Sequence, residues 1–279
     1  VSAQVNTGRA ALRARRRGVL DGWQTATYAI LVGLAALAWL LSDLRMSGMD
    51  AGPGSPLGTF GFFIVTWVVM MAAMMFPSAA PMVATFVGIQ RGRRRKAMPT
   101  QAGSTGLFVA GYLITWTFGG VLAYGIVRIA GALAGDHLSW QHGGRWLAAG
   151  VLLLAAAYEL TPLKRACLTR CRGPLAFILT NWRDGRLGAL RMGLRHGAWC
   201  VGCCWGLMAA LFALGVMSLA WMALIGALIA LEKLLPWRRP GIALVSGLLA
   251  VLAIGVAVAP ARVPGLAVPQ SGTMMTSMN

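Results

Sequence analysis

Long apolar runs separated by short clusters of Arg and Lys constrain this chain more than any other feature. They cover residues 25–41, 58–88, 107–133, 146–163, 198–217, 219–235 and 242–258. Each comes close to the roughly 20 residues that a helix needs to cross the ~30 Å apolar core of a bilayer. Composition agrees: 58% of the 279 residues are hydrophobic and 11% are charged. A soluble domain would be about one quarter charged, and a disordered chain could not be this apolar. Within a bilayer every backbone N–H and C=O must be satisfied internally, so the choice is between helices and a closed barrel. A barrel reads as short alternating strands of about ten residues, which these continuous runs do not resemble. The expectation is an all-α, polytopic transmembrane helical bundle of about seven spans.

Charge gives the sidedness. The chain carries 25 Lys and Arg against 7 Asp and Glu. With the N-terminus in the cytoplasm and seven crossings, all the basic residues fall inside except Arg45, Arg128, Arg145 and Arg262. Short loops with this asymmetry follow the positive-inside rule. The organisation expected is a basic cytoplasmic head (1–24), a single transmembrane domain (25–260) with a basic cytoplasmic loop at 164–195, and an outward tail (261–279). A signal peptide is the competing reading of the first run, but Asp43 and Arg45 follow directly and no small-residue cleavage site intervenes. The location that fits is a bacterial inner membrane. Anionic lipid headgroups account for the basic loops, and no basic motif interleaved with aromatics points to nucleic acid. Whether the chain forms a homo-oligomer stays open at this level.

Two local expectations concern helix continuity. Pro77 and Pro81 lie inside the second run, where a proline removes a donor and crowds the preceding turn, so a kink or an interruption is expected there. In the basic loop, Trp182, Leu187, Leu190 and Leu194 are spaced as the apolar face of a surface helix.

The chemistry-bearing residues gather in the second half. All five cysteines lie there: Cys167, Cys171, Cys200, Cys203 and Cys204. On the reducing side of a membrane a disulfide framework is disfavoured. Four-residue spacing stacks His196, Cys200 and Cys204 on one helical face, with Cys203 alongside. Thiolate, imidazole and thioether suit copper(I), and thiolate with imidazole also suits zinc. A buried Cys is often only an apolar filler; three within five positions, one turn from a His, argue for more. One helix cannot wrap an ion, so partners are needed. Cys167 and Cys171 form a C-x3-C pair that would serve as an entry site.

Further candidate ligands come from two other runs. Met70, Met71, Met74 and Met75 form two stacked thioether pairs on the second run, where the bland reading is a methionine-filled core. Glu159 and Glu232 are acidic residues inside apolar runs, which normally face a bundle interior or a polar pathway. Their roles would be hard ligands or orienters of His196. The competing roles are a salt bridge from Glu159 to a neighbouring base such as Lys164, Arg165 or Arg195, and a helix-end pair between Glu232 and Lys233.

Three long strings carry a family resemblance: Met70-Met-Ala-Ala-Met-Met-Phe-Pro-Ser-Ala-Ala-Pro81, Tyr158 through Pro174, and Gly193 through Met208, with Leu231-Glu-Lys-Leu-Leu-Pro236 beyond. Over residues 25–260 the chain resembles the bacterial predicted metal-binding integral membrane proteins. The resemblance implies membrane location and a metal site and names no reaction. The leading functional expectation is a membrane protein that binds and delivers or moves copper, with zinc as the alternative ion and a metallochaperone or metalloenzyme as partner. A metal-dependent membrane oxidoreductase, or an assembly factor for one, is the second expectation. A metal-free structural or thiol-redox protein, using Cys200 and Cys203 as C-x-x-C, is the third. No P-loop signature is present to couple ATP.

Overall fold

The computed structural model describes residues 2–46, 57–98, 100–134, 140–235, 238–263 and 266. These residues are helical wherever they are regular, and no strand occurs among them. The helices are α1 (Ser2–Met46), α2 (Phe60–Arg95), α3 (Ser104–Ala134), α4 (Arg145–Glu159), α5 (Pro162–Arg172), α6 (Pro174–Asn181), α7 (Gly185–Leu214), α8 (Leu219–Leu234) and α9 (Arg238–Val258). A π-helical turn (Trp140–Gly144) leads into α4, and a 3-10 turn (Pro260–Arg262) follows α9. Met49, Asp50, His137, Met274, Met275 and Met278 lie outside the described residues.

Five segments are long and apolar enough to cross a membrane: Gly22–Met46, Phe60–Arg95, Ser104–Leu133, Gly185–Leu214 and Pro240–Val258. The pair α4 and α5 qualifies as a sixth only if its 67° bend is counted within one span. The break falls where Pro162 opens α5, and Thr161 caps that new start by accepting from the Lys164 amide at 3.2 Å. A proline at the first helical position with a threonine before it is a strong start signal. α8 has only 16 residues, about 24 Å of helix, which is short of a full apolar core.

The surface is as apolar as a lipid environment demands. Leu133, Val258, Leu44 and Leu154 are among many large apolar side chains exposed to the surroundings. α1 shows why: Leu31, Ala35, Ala38, Ser42 and Met46 form its buried stripe, while Ile30, Leu37 and Leu44 point outward. Both faces are apolar, so the helix is divided by packing, not by polarity.

α2 and α7 organise the interior. α2 packs on α1, α3 and α8, while α7 packs on α3, α4, α5 and α8; α9 closes against α4. The α3–α7 crossing depends on small residues. A Cβ on Gly193 would collide with the Phe108 backbone, and one on Gly111 with the Leu190 carbonyl. At Gly197 it would lie 2.7 Å from the Thr115 Cβ. Gly193 and Gly197 make a small-xxx-small pair on α7, matched by Gly111 and Thr115 on α3, and this lets two backbones approach without lipid between them. Thr115 spans the crossing by donating to the Leu194 carbonyl at 3.1 Å.

Two expectations of continuity need correction. α2 runs through Pro77 and Pro81 as one 36-residue helix, with no interruption. The residues around both prolines are packed on α1, α3, α6 and α8, and neighbours of that kind compensate for a lost helical hydrogen bond in a membrane. The helix placed at 198–217 begins at Gly185, so Leu187, Leu190 and Leu194 belong to the first half of α7 and not to a separate surface helix. The basic loop contains two short helices, α5 and α6, divided at Gly173.

Candidate metal centre

The fifteenth residue beyond Gly185 in a 30-residue helix is Cys200, so the cysteines sit halfway along α7 and inside the bundle. Cys200, Cys203 and Cys204 are all buried, and their sulfurs lie within 4.8 Å of one another. Cys203 Sγ is 3.3 Å from Cys204 Sγ and 3.2 Å from the Cys200 carbonyl. A fourth sulfur arrives from α5, where Cys171 Sγ lies 3.6 Å from Cys203 Sγ. Cys171 is half-buried while the other three are enclosed. The 67° bend between α4 and α5 is what turns this residue back onto α7.

The dimensions fit an ion. Three thiolates around a metal with bonds of about 2.3 Å stand about 4.0 Å apart in a plane, and the observed sulfurs can reach that arrangement by side-chain adjustment within their 4.8 Å envelope. All the sulfurs come from Cys, with no carboxylate among them, and soft donors of this kind favour copper(I) over hard divalent ions.

Two further side chains close the cluster. Lys233 of α8 donates to Cys200 Sγ at 2.9 Å. Its ammonium also lies 3.4 Å from Ser78 Oγ and 3.9 Å from Met75 Sδ, both on α2. Tyr112 of α3 shares a 3.1 Å hydrogen bond with Cys200 Sγ. Lys233 and Tyr112 were not among the residues picked from the sequence. A lysine beside a glutamate at the end of an apolar helix reads as a surface pair, and nothing in the sequence separates Tyr112 from Tyr124 on the same 31-residue apolar helix.

The remaining candidates divide among other environments. Of the methionines, Met75 reaches the cluster through Lys233, whereas Met74 packs on Gly226 of α8 and Met70 and Met71 are buried in the same core. Cys167 is buried against Gly202, where a Cβ would lie 3.0 Å from its sulfur. His196 lies one turn before Cys200 but its ring is enclosed by aromatics: centroids of Tyr112 and Phe177 lie 5.5 Å away and that of Phe108 6.0 Å away. Tyr112 therefore touches both the imidazole and the thiol cluster. His196 Nδ1 has no hydrogen-bond partner among the described residues. It faces a narrow cleft walled by Leu31, Phe76, Phe108 and Tyr112.

Glu159 and Glu232 meet each other across Lys164. The Lys164 ammonium lies 2.7 Å from Glu159 Oε1, 2.6 Å from Glu159 Oε2 and 2.8 Å from Glu232 Oε2. All three side chains are almost wholly enclosed. The carboxylates are thus engaged by a base from α5, and Glu232 turns to Lys164 while its neighbour Lys233 turns to the thiols. Adjacent residues of α8 face two different buried clusters.

Residues 64–257 match a family model described as PpoB2, copper chaperone. No curated protein and no solved structure matches the chain.

Proposed function

Because the chain belongs to the PpoB2 copper chaperone family, we propose that it is a multi-pass membrane protein that binds copper(I) in the α7 thiol cluster and hands it to a metalloprotein. The observation that carries this reading is the convergence of Cys200, Cys203 and Cys204 within 4.8 Å inside the bundle. The proposed ligands are these three thiolates, with Cys171 as the ligand through which the ion enters or leaves, because it joins the enclosed sulfurs and is itself half-buried. Met75 supports the site as a thioether on the α2 wall. His196, Glu159 and Glu232, first expected as ligands, take other roles in this reading. His196 orders Tyr112 by stacking, and the two carboxylates fix α4, α5 and α8 together through Lys164.

The proposed setting is a bacterial inner membrane crossed seven times, with α4 and the short α8 as full crossings and α5 bent away at the cytoplasmic end of α4. The basic ends at 91–96 and 164–195 then face the cytoplasm and its anionic lipid headgroups. Exchange of a thiolate-bound ion with a partner needs a ligand within reach of that partner, and the half-exposed position of Cys171 supports exchange on the basic side.

The test is metal analysis of the purified full chain after copper(I) loading. One tightly held equivalent is expected, and replacement of Cys200, Cys203 and Cys204 by Ser should abolish it. Sub-stoichiometric copper in both proteins would sink the reading, and one equivalent of zinc in preference to copper would move it to zinc handling.

A further inference from the structure

Lys233 has no ordinary structural reason to be where it is. An ammonium group directed into a half-buried thiol cluster gives up hydration, and its neighbours Leu234 and Leu235 show that solvent-side or lipid-side positions are close at hand. A four-carbon stem near a helix end can carry the charge out to an interface. Instead the Nζ sits 2.9 Å from Cys200 Sγ, 3.4 Å from Ser78 Oγ and 3.9 Å from Met75 Sδ. The first is a contact to a sulfur that a soft ion would also use. The ammonium and an ion approaching Cys200 from the same side therefore compete for that sulfur.

Charge makes the exclusion an exchange. Copper(I) and an ammonium each carry one positive charge, so at the ionised Cys200 sulfur one replaces the other without changing the net charge, and each further thiol that becomes a ligand releases its proton to solvent. A divalent ion entering the same place would add a charge that the enclosed surroundings must accommodate. The lysine side chain can leave without unfolding α8, because only its stem and head have to move and the residue is not fully enclosed.

We infer that Lys233 is a built-in competitor for the ion: its ammonium occupies the copper(I) position beside Cys200, moves aside as the ion enters, and returns to drive the ion out. This rests on the copper reading of the thiol cluster and adds to it a means of release. A carrier that held its cargo with four sulfurs and no competitor would bind tightly and give it up slowly; a tethered cation that reclaims the site weakens the hold and opens a route to transfer.

Two measurements test the inference on the full chain in detergent or nanodiscs. In the first, Lys233→Leu, which removes the charge and adds no ligand, is titrated with copper(I) against a chromophoric copper(I) chelator. Affinity should rise at least about fivefold, the lower end of ordinary coupling between two ligands, while Lys233→Arg, which keeps the charge, should not show the rise. Unchanged or weakened copper(I) affinity in folded Lys233→Leu overturns the inference. The second uses the unaltered protein, which removes any dependence on the variant's folding. A membrane-permeant amine reagent should modify Lys233 several times faster once one equivalent of copper(I) is bound. Protection that persists in the loaded protein overturns the inference and leaves the copper reading intact; a chain that takes up no copper(I) at all defeats the copper reading itself.

Discussion

Each cysteine has a different neighbourhood, and that difference predicts separate phenotypes. Cys200 touches Lys233 and Tyr112, Cys203 touches Cys171 and Cys204, and Cys167 packs on Gly202. Cys167→Ser should leave the copper(I) stoichiometry unchanged, whereas Cys171→Ser should keep the equivalent but lower its affinity and slow its transfer to an acceptor, as read by chelator competition and stopped-flow exchange. Equal losses in the two variants would contradict the assignment. The Lys164 triad makes a second prediction at this scale. Removing one member of a buried ion pair leaves an uncompensated charge, which typically costs about 3–5 kcal/mol. Lys164→Ala should therefore lower the thermal midpoint in detergent far more than Glu232→Gln, which removes a carboxylate but leaves Lys164 its Glu159 partner at 2.6 Å.

Pairs of helices, more than any one helix, decide whether the cluster forms. The α3–α7 crossing brings Tyr112 onto Cys200, and it does so only because Gly111, Gly193 and Gly197 have no side chain there. Gly193→Val should force the backbones apart, lose monodisperse folded protein in size-exclusion chromatography and abolish copper binding together. Gly119→Ala on α3 meets nothing within 4 Å and should change stability by less than about 1 kcal/mol. A folded, copper-binding Gly193→Val would show that the close approach is dispensable. The α4–α5 bend has an equivalent role for Cys171, since a straight continuation past Thr161 would carry that sulfur away from α7. Its start signals, Thr161 and Pro162, are plain in the sequence; the 67° turn that they permit is not.

At the scale of the whole molecule, the placement of basic residues predicts sidedness. The N-terminal head, the end of α2 and the 164–195 segment carry 18 of the 25 Lys and Arg, and the opposite ends carry little. An impermeant thiol reagent should label Ala102→Cys from the cytoplasmic face and Arg262→Cys from the other face, in a background where the native thiols are blocked beforehand. Labelling of both from one side would remove a crossing from the proposed seven. In the proposed topology the thiol cluster would lie beneath the basic face, and labelling of both positions from one side would remove that placement as well.

Helix content and membrane character were legible from the residues because they depend on local quantities, apolar length and charge spacing, that do not require knowing what packs where. The thiol cluster was legible for a similar reason: Cys200, Cys203 and Cys204 share one helix, and 3.6 residues per turn fixes their mutual position. The continuity of α2 through Pro77 was not, because the packing that compensates for a lost hydrogen bond comes from other helices. The roles of the charged groups were legible only in part: a pair between Glu159 and Lys164 is one of the alternatives that the sequence offers, and it is the one that forms. Glu159, Glu232, Lys164 and Lys233 come from three helices, and sequence spacing cannot say which carboxylate an ammonium will meet. Burial forces every charge to find a partner, but only the way α4, α5 and α8 come together decided that Lys164 would take both glutamates and leave Lys233 to the sulfurs.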